Sequence, residues 1–466
     1  MLKVYFFGSQ NNGCGFYRIW QPAAALERLG LAEVRREPDQ PGDITANRAR
    51  DIFDWADVVV CQNFSALWSA CIFAAARDRC GKKLIVDLDD SIWDLHPMNI
   101  TRTKEGKALS RHFSDDPHLF WRISDVSPQD WEKVQATVSD EDRQMSDKPL
   151  YKDGTILELE PGKRIFAHQI SADALSSAHF LLGAADAVTT TNLLLADRIR
   201  KKSGQRNIHV LPNCHTGSDW PIKQRPPNDD GTVWIGWCGS VSHYPDFREI
   251  LPVLDRLMAK YPQLRIQVMG SSFDYLFPPA KDAKMKRIGG YGGDNNDLEC
   301  YEFDKSGARY PGRMEFHPPV PIRAYAKWMC DTWHADIGIA PLENHPFNAA
   351  KSELKWVEYS LLGVPTVASK VGPFKRTIRH DQDGKLCGSP KAWGYALEEL
   401  IESPELRQSL AAAAHARVRT DYDADKQAHR WIQSYESVVH ESDAGQPCGY
   451  RNADLCAGSG TQAAGA

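Results

Sequence analysis

The sequence predicts an α/β protein built from two doubly wound, mainly parallel sheets. Three observations carry this. Short apolar runs alternate with amphipathic stretches from the first residue to about 440, and the alternation falls into two blocks. Between the blocks lies a proline-bearing seam, Pro212-Asn213-Cys214, followed by the polar stretch Pro221–Gly231. At 466 residues, finally, the chain is too long for one ordinary core.

In the first block the predicted strands are Leu2–Gly8, Val58–Cys61, Leu84–Asp87, Ala187–Thr190 and Ile208–Leu211. In the second they are Val233–Trp237, Arg265–Met269, Met314–Phe316, Asp336–Ala340 and Pro365–Ala368. A period near 3.6 fits helices at Arg18–Leu29, Ala66–Arg79, Ala172–Leu182, Leu193–Lys202, Phe247–Tyr261, Arg323–Trp333, Leu354–Leu362 and Trp393–Ile401. Two segments break the pattern, about 95–170 and about 271–313, and both read as insertions near a site. The predicted organisation is thus a first domain over 1–212, a second over 213–425, a terminal helix over 426–441, and a small, polar, disordered tail over 442–466.

Bulk properties exclude several classes. Hydrophobic residues make up 42% and charged residues 25%, a folded composition. A net charge of −5 gives no average electrostatic case for nucleic acid or an anionic membrane. No stretch approaches the roughly 18 apolar residues of a membrane span, and the apolar start at Met1–Gly8 is too short for a signal peptide. The eleven cysteines show neither C-x-x-C nor metal-type spacing, which reads as reduced thiols in a cytoplasmic protein without structural zinc. Walker, H-E-x-x-H and G-x-S-x-G patterns are missing as well.

Three constellations carry chemistry. The first predicted strand ends in a glycine-rich turn, Gly8 to Arg18, containing Gly13 and Gly15. Such a turn brings backbone N–H groups toward an anion, although Arg18 occupies the third glycine position of G-x-G-x-x-G and a plain tight turn explains it equally well. The strongest segment runs from Ala340 to Ser369. A helix beginning near Lys351 would place Lys351, Lys355 and Glu358 on one face, at i, i+4 and i+7. Two cations at a helix N-terminus suit a diphosphate, and a carboxylate two turns in suits a ribose diol. An exposed face with a Lys355–Glu358 pair is the alternative. Third, Asp87-Leu-Asp89-Asp90 ends a first-block strand. These carboxylates suit a divalent ion, a hydroxyl-orienting role in the sheet's crevice, or simply a cap on the following turn.

Glu358-Tyr-Ser-Leu-Leu-Gly363-Val-Pro-Thr-Val-Ala-Ser369 resembles the signature of GT-B glycosyltransferases, specifically the retaining family related to glycogen and sucrose synthases. Leu211-Pro-Asn213 resembles that family's turn between domains, Asp381-Gln-Asp-Gly384-Lys-Leu386 its DG-L loop, and Trp431 to Val439 its terminal crossing helix. The resemblance runs in order along most of the chain and more closely from 208 to 440. It implies two Rossmann-like domains facing a cleft, a nucleotide-sugar as co-substrate with no other cofactor and no metal, and transfer with retention. It further implies that Glu358 binds the nucleotide ribose.

Three departures stand out. Ala350 replaces the first of the family's two glutamates, with Lys351, Ser352 and Lys355 beside it. The family's Arg and Lys phosphate clamp is replaced by Gly236 to Asp246, where Gly239 and Ser240 offer amides and His243 or Lys355 charge. Its first-domain histidine gives way to Asp87-Leu-Asp89-Asp90, so Asp89 or Asp90 is expected to orient the acceptor hydroxyl or the transferred sugar. Gly13, Gly15 and Arg18 are assigned to the acceptor side. The acceptor is open among a glycan, a lipid-linked sugar and a modified base. A GT-B sugar-nucleotide epimerase and a donor-binding protein without catalysis are the rival readings.

Overall fold

The computed structural model describes residues 1–8, 13–37, 44–62, 67–93, 172–217, 219–220, 230–239, 243, 246–247, 249–270, 285–291, 298–303, 310, 312–317 and 320–440. The expected insertion over 95–170, the tail over 442–466 and Ser240 lie outside the described residues.

Six strands form the first sheet: β1 (Leu2–Phe7), β2 (Ala32–Arg36), β3 (Val58–Cys61), β4 (Lys83–Leu88), β5 (Ala187–Thr190) and β6 (Ile208–Val210). They lie in the order β2-β1-β3-β4-β5-β6, all parallel. β3 and β5 have every residue buried, as continuous apolar strands covered on both faces should. In register, Val4 faces Val58, Val60 faces Ile85 and Val86 faces Val188.

The second sheet holds β7 (Val233–Gly239), β8 (Leu264–Gly270), β11 (Met314–His317), β12 (Ile337–Ala340), β13 (Thr366–Ser369) and β14 (Lys385–Cys387), in the order β11-β8-β7-β12-β13-β14. Its strands are again parallel. The chain order reverses between β7 and β12, and a doubly wound sheet opens its crevice at the carboxyl ends of such strands. Two strands inside the expected second insertion, β9 (Met285–Tyr291) and β10 (Leu298–Phe303), pair antiparallel as a separate ribbon. The fold is therefore two parallel sheets flanked by helices, the GT-B arrangement of two Rossmann-like units.

Several elements differ from the sequence reading. β2 was not expected: it is an edge strand whose Glu33 and Arg35 are exposed, so only one face is apolar. The helices Ala46–Trp55 (α3) and Pro404–Asp421 (α13) were also not expected. α3 carries the N-cap Thr45, which accepts from Arg48 N at 3.2 Å. The helix expected over Arg18–Leu29 is regular only at Gln21–Arg28 (α2), and is preceded by the short α1 (Gly13–Gly15) and a π turn at Phe16–Trp20. The terminal helix, α14 (Ala424–His440), packs Trp431, Ile432 and Tyr435 into the core under β1, with Tyr435 edge-on to Phe6 at 5.9 Å.

Arg18 ties these parts together. Neither its side chain nor that of Asp87, at the end of β4, is exposed (0%/0%). Its Nη2 donates to Asp87 Oδ2 at 2.7 Å and its Nε to Oδ1 at 3.1 Å, a bidentate pair. Its Nη1 donates to the Leu211 carbonyl at 2.5 Å, and the guanidinium lies 4.8 Å from the Trp431 ring centroid. Thr189 Oγ1 donates the remaining bond to Asp87 Oδ2, at 2.6 Å. Removing one partner of such a pair leaves a dehydrated charge, at a cost of about 3–5 kcal/mol. Arg18→Met is accordingly expected to lower the unfolding free energy by that amount, seen as a fall in the urea midpoint at unchanged slope, and Arg18→Lys to recover only a minor part. An effect below ~1 kcal/mol for Arg18→Met would show that water reaches Asp87.

Candidate active site

The second half of the candidate site is assembled at the switch point of the second sheet. β7 ends at Gly239, where an added Cβ would lie 2.5 Å from the Trp237 ring and 2.9 Å from Lys355 Nζ. Glycine is needed there because backbone, indole and ammonium meet with no room for a methyl group. Lys355 lies in the first turn of α10 (Leu354–Leu361). Its ammonium donates to the Cys238 carbonyl and sits 5.0 Å from the Trp237 ring centroid. Burial lowers its pKa, against the opposing influence of Cys238 and Glu358.

His243 packs edge-on to the other side of Trp237, its ring 5.8 Å away. Its Nδ1 is 2.7 Å from Asp246 Oδ2, while Asp246 Oδ1 accepts from Glu343 N at 2.8 Å and Asn348 Nδ2 at 2.7 Å. Burial first, and the charge of Lys351 next, push the imidazole down to about 3, so it is neutral near pH 7. Charge here comes from the lysines instead of His243.

The helix expected to begin near Lys351 begins three residues later. Its N-cap is Glu353, preceded by α9 (Pro346–Ala349) and a turn holding Lys351 and Ser352. Lys351 therefore does not share a helical face with Lys355 and Glu358. Its ammonium lies 4.9 Å from the Phe347 ring centroid. That turn is pinned to the first half: Asn192 Nδ2 donates to the Ala350 carbonyl at 2.8 Å and Asn213 Nδ2 to Ser352 Oγ at 3.0 Å. Ala350 is wholly buried within the first half's core cluster.

Glu358 is 6% exposed and does not pair with Lys355 as a surface couple would. Its Oε1 accepts from Tyr17 Oη at 2.8 Å and its Oε2 from Tyr325 Oη at 3.0 Å. Burial raises its pKa, opposed by Lys355 and the two phenols.

The first half contributes the turn after β1 and the end of β4. Gly13 and Gly15 flank Cys14, whose thiol hydrogen-bonds Asp89. Burial first, then the charge of Asp90, raise Asp89 to about 7. Arg18, grouped with the glycines on the acceptor side, is instead enclosed, its guanidinium engaged by Asp87, Leu211 and Trp431. Asp87 is likewise engaged, so only Asp89 and Asp90 of the three aspartates keep their carboxylates clear of Arg18's bidentate grip. No group of three or more His, Cys, Asp or Glu side chains among the described residues is arranged to hold a metal ion. No described helix is long and apolar enough to cross a membrane.

Residues 252–433 match the family model described as "Glycosyl transferase-like". Glycogen synthase of Mycobacterium tuberculosis is 21% identical over 335 residues, covering 70% of this chain and 72% of that one. D-inositol 3-phosphate glycosyltransferase of Thermobispora bispora is 29% identical over 103 residues, 22% of each chain. Among solved structures, Anabaena HepE in complex with UDP and glucose superposes with a TM-score of 0.51 at 14% identity, over 94% of this chain and 100% of that one. Sucrose-phosphate synthase of Thermosynechococcus elongatus gives 0.53 at 14% identity, over 94% and 99%. In sequence the chain is similar to glycogen synthase over 70% of its length, and in fold to the GT-B glycosyltransferases.

The residues that sequence reasoning missed are Tyr17, Tyr325, Trp237 and Asp246. Tyr325 and Trp237 look like core aromatics in sequence, and Tyr17 is overshadowed by the neighbouring Arg18. Asp246 alone left a trace, three residues after His243.

The Asp89 environment generates a stability test. A carboxyl raised from near 4 to about 7 keeps its proton in the fold where the unfolded chain loses it, so stability falls as pH rises through that window. Asp89→Asn removes the penalty. In urea melts it is expected to match the parent at pH 4 and to gain on it progressively up to about pH 7, then level off. A difference independent of pH would mean that Asp89 titrates as a solvated carboxyl.

Proposed function

We propose that this protein is a nucleotide-sugar-dependent glycosyltransferase that binds its donor on the second half and its acceptor on the first. The observation that carries the reading is Glu358: a buried carboxylate one turn beyond Lys355, on α10, which follows the switch-point strand β12 and the short α9. Ribose hydroxyls are donors of the right kind for its oxygens. Lys355 and the amide at Gly239, with Lys351 on the preceding turn, are taken as the contacts of the diphosphate. A ligand spanning ribose and diphosphate matches the one-turn separation of Glu358 from Lys355, about 5 Å.

The reaction needs the bond from the anomeric carbon to the diphosphate to break and a glycosidic bond to an acceptor oxygen to form. Charge grows on the departing diphosphate, and Lys351 and Lys355 are placed to stabilise it. Charge-assisted hydrogen bonds of this kind contribute roughly 1.5–3 kcal/mol each. Asp89 and Asp90 stand on the acceptor side and orient the acceptor hydroxyl or the transferred sugar. Retention at the anomeric carbon is proposed from the family resemblance. The acceptor is a hydroxyl-bearing glycan, lipid-linked sugar or modified base. The site residues Gly13, Gly15, Gly239, Ser240, His243, Lys351, Ser352, Lys355 and Glu358 are proposed in these roles; His243 acts as a neutral hydrogen-bonding group.

Titration calorimetry with UDP, GDP and ADP, alongside the corresponding nucleosides, tests the donor assignment. Lys355→Ala is expected to weaken the diphosphate at least tenfold and the nucleoside little, because its partner is phosphate. Glu358→Gln is expected to weaken both, since both carry the ribose. Equal losses for the two ligands in Lys355→Ala would return that lysine to a packing role. Turnover is expected to survive EDTA, with product released only when an acceptor is supplied; free sugar formed without one favours the epimerase reading.

A further inference from the structure

Both oxygens of Glu358 accept from phenols, and the two phenols come from different halves of the molecule. Tyr325 belongs to α8 (Ile322–Thr332), on the same side as Glu358. Tyr17 belongs to the π turn after β1 and lies 341 residues away in sequence. Tyr17 is buried, and its neighbours on the turn reach across as well. The Trp20 ring lies 4.5 Å from the guanidinium of Arg323 on α8 and 5.2 Å from that of Arg36 on β2. Gln21 Nε2 donates to Asp219 Oδ2 at 2.8 Å, and its Oε1 accepts from Thr216, both in the segment joining the sheets. The turn is thus a cross-brace, and its innermost contact falls on the carboxylate assigned to the ribose.

We infer that Tyr17 is a gate on Glu358: the donor's ribose hydroxyl takes the place of the Tyr17 phenol on Oε1. This rests on the ribose reading of Glu358. The exchange is physically economical. A buried carboxylate is costly without donors, and a ribose hydroxyl replaces the phenol one for one, while Tyr325 keeps Oε2 in place throughout. The same turn also carries Cys14, the partner of Asp89. Ribose binding is therefore felt on the acceptor side without any longer relay. π turns recur at functional sites, and this one lets Tyr17 and Arg18, adjacent in sequence, reach carboxylates in opposite halves. Arg18 stays fixed on Asp87 while Tyr17 lets go. The gate also selects its ligand: a molecule without ribose hydroxyls has nothing to offer Oε1.

The experiment is titration calorimetry of Tyr17→Phe, Tyr325→Phe and Glu358→Gln with UDP, GDP and ADP, and with inorganic pyrophosphate as the probe lacking ribose. Circular dichroism confirms the fold of each variant, and small-angle scattering reads the compactness. Removing a competitor for a charged acceptor is expected to tighten the best nucleoside diphosphate by roughly tenfold in Tyr17→Phe and to leave pyrophosphate unchanged. Tyr325→Phe should weaken the nucleotide, since that phenol orients the carboxylate. Tyr17→Phe should scatter as a molecule as compact as the parent, since Asn192 and Asn213 still pin the halves together. Should Tyr17→Phe fail to fold, Arg323→Ala, which loosens the brace at Trp20 without touching Glu358, is expected to tighten nucleotide in the same direction by a few-fold. Unchanged or weaker nucleotide binding, or an equal gain for pyrophosphate, overturns the gate. If Glu358→Gln loses affinity while Tyr17→Phe gains none, the gate alone fails. If Glu358→Gln loses none, the ribose reading fails and takes the gate with it.

Discussion

A guanidinium and a carboxylate with no exposed surface lose several kcal/mol of hydration apiece, so they persist only where nearly every donor and acceptor is met. Arg18 and Asp87 satisfy that condition by drawing in four separate parts of the chain: the turn after β1, the end of β4, Leu211 at the seam, and Trp431 on the terminal helix. Asn213, two residues beyond Leu211, lies 3.4 Å from the same guanidinium and also donates to Ser352 in the second half. The seam between the halves is consequently anchored at its base by one ion pair. Tyr17 and Cys14 owe their positions to it, because both belong to the turn that Arg18 holds.

The second half of the site obeys a different constraint, which is charge balance in a place with little water. Lys355 is buried, with its pKa lowered by burial, and its ammonium is met by a carbonyl and an indole face where a carboxylate partner is commonplace. Asp246 answers His243, a backbone amide and Asn348, and its charge, with that of Glu358, acts on Lys355 against the effect of burial. An anion entering the crevice would oppose the same burial that penalises the ammonium. Burial first, and the charge of Lys351 next, keep the imidazole of His243 neutral.

The fold was legible wherever strands were apolar on both faces. β3, β5, β7, β12 and β13 appear in sequence as short apolar runs, since parallel strands under helices have no polar face. β2 escaped notice because an edge strand alternates, and α13 because its periodicity is diluted by alanine. In the site, Glu358, Lys355 and Gly239 were visible through their spacing around Gly-Val-Pro and a strand end. Lys351 was placed on the wrong element, since a helix start is fixed by a cap, and Glu353 is not a residue type whose capping can be read with ease. Tyr17, Tyr325 and Asp246 were hidden for a common reason: each matters through a partner distant in sequence or through burial, and neither leaves a local pattern.

Cys14, Tyr17 and Arg18 stand at i, i+3 and i+4, a spacing that puts three side chains on one side of a helical turn. Each meets an acid: Asp89, Glu358 and Asp87 respectively. The middle one belongs to the second half, and the outer two to the first. The carboxylate proposed to read the donor and the one proposed to orient the acceptor are therefore both partnered from one short segment of chain. That shared segment is what allows the two substrates to be sensed together. Coupling between them needs no path through either hydrophobic core. It needs only that the turn pivot about Arg18, whose buried ion pair is the one contact on it too costly to break.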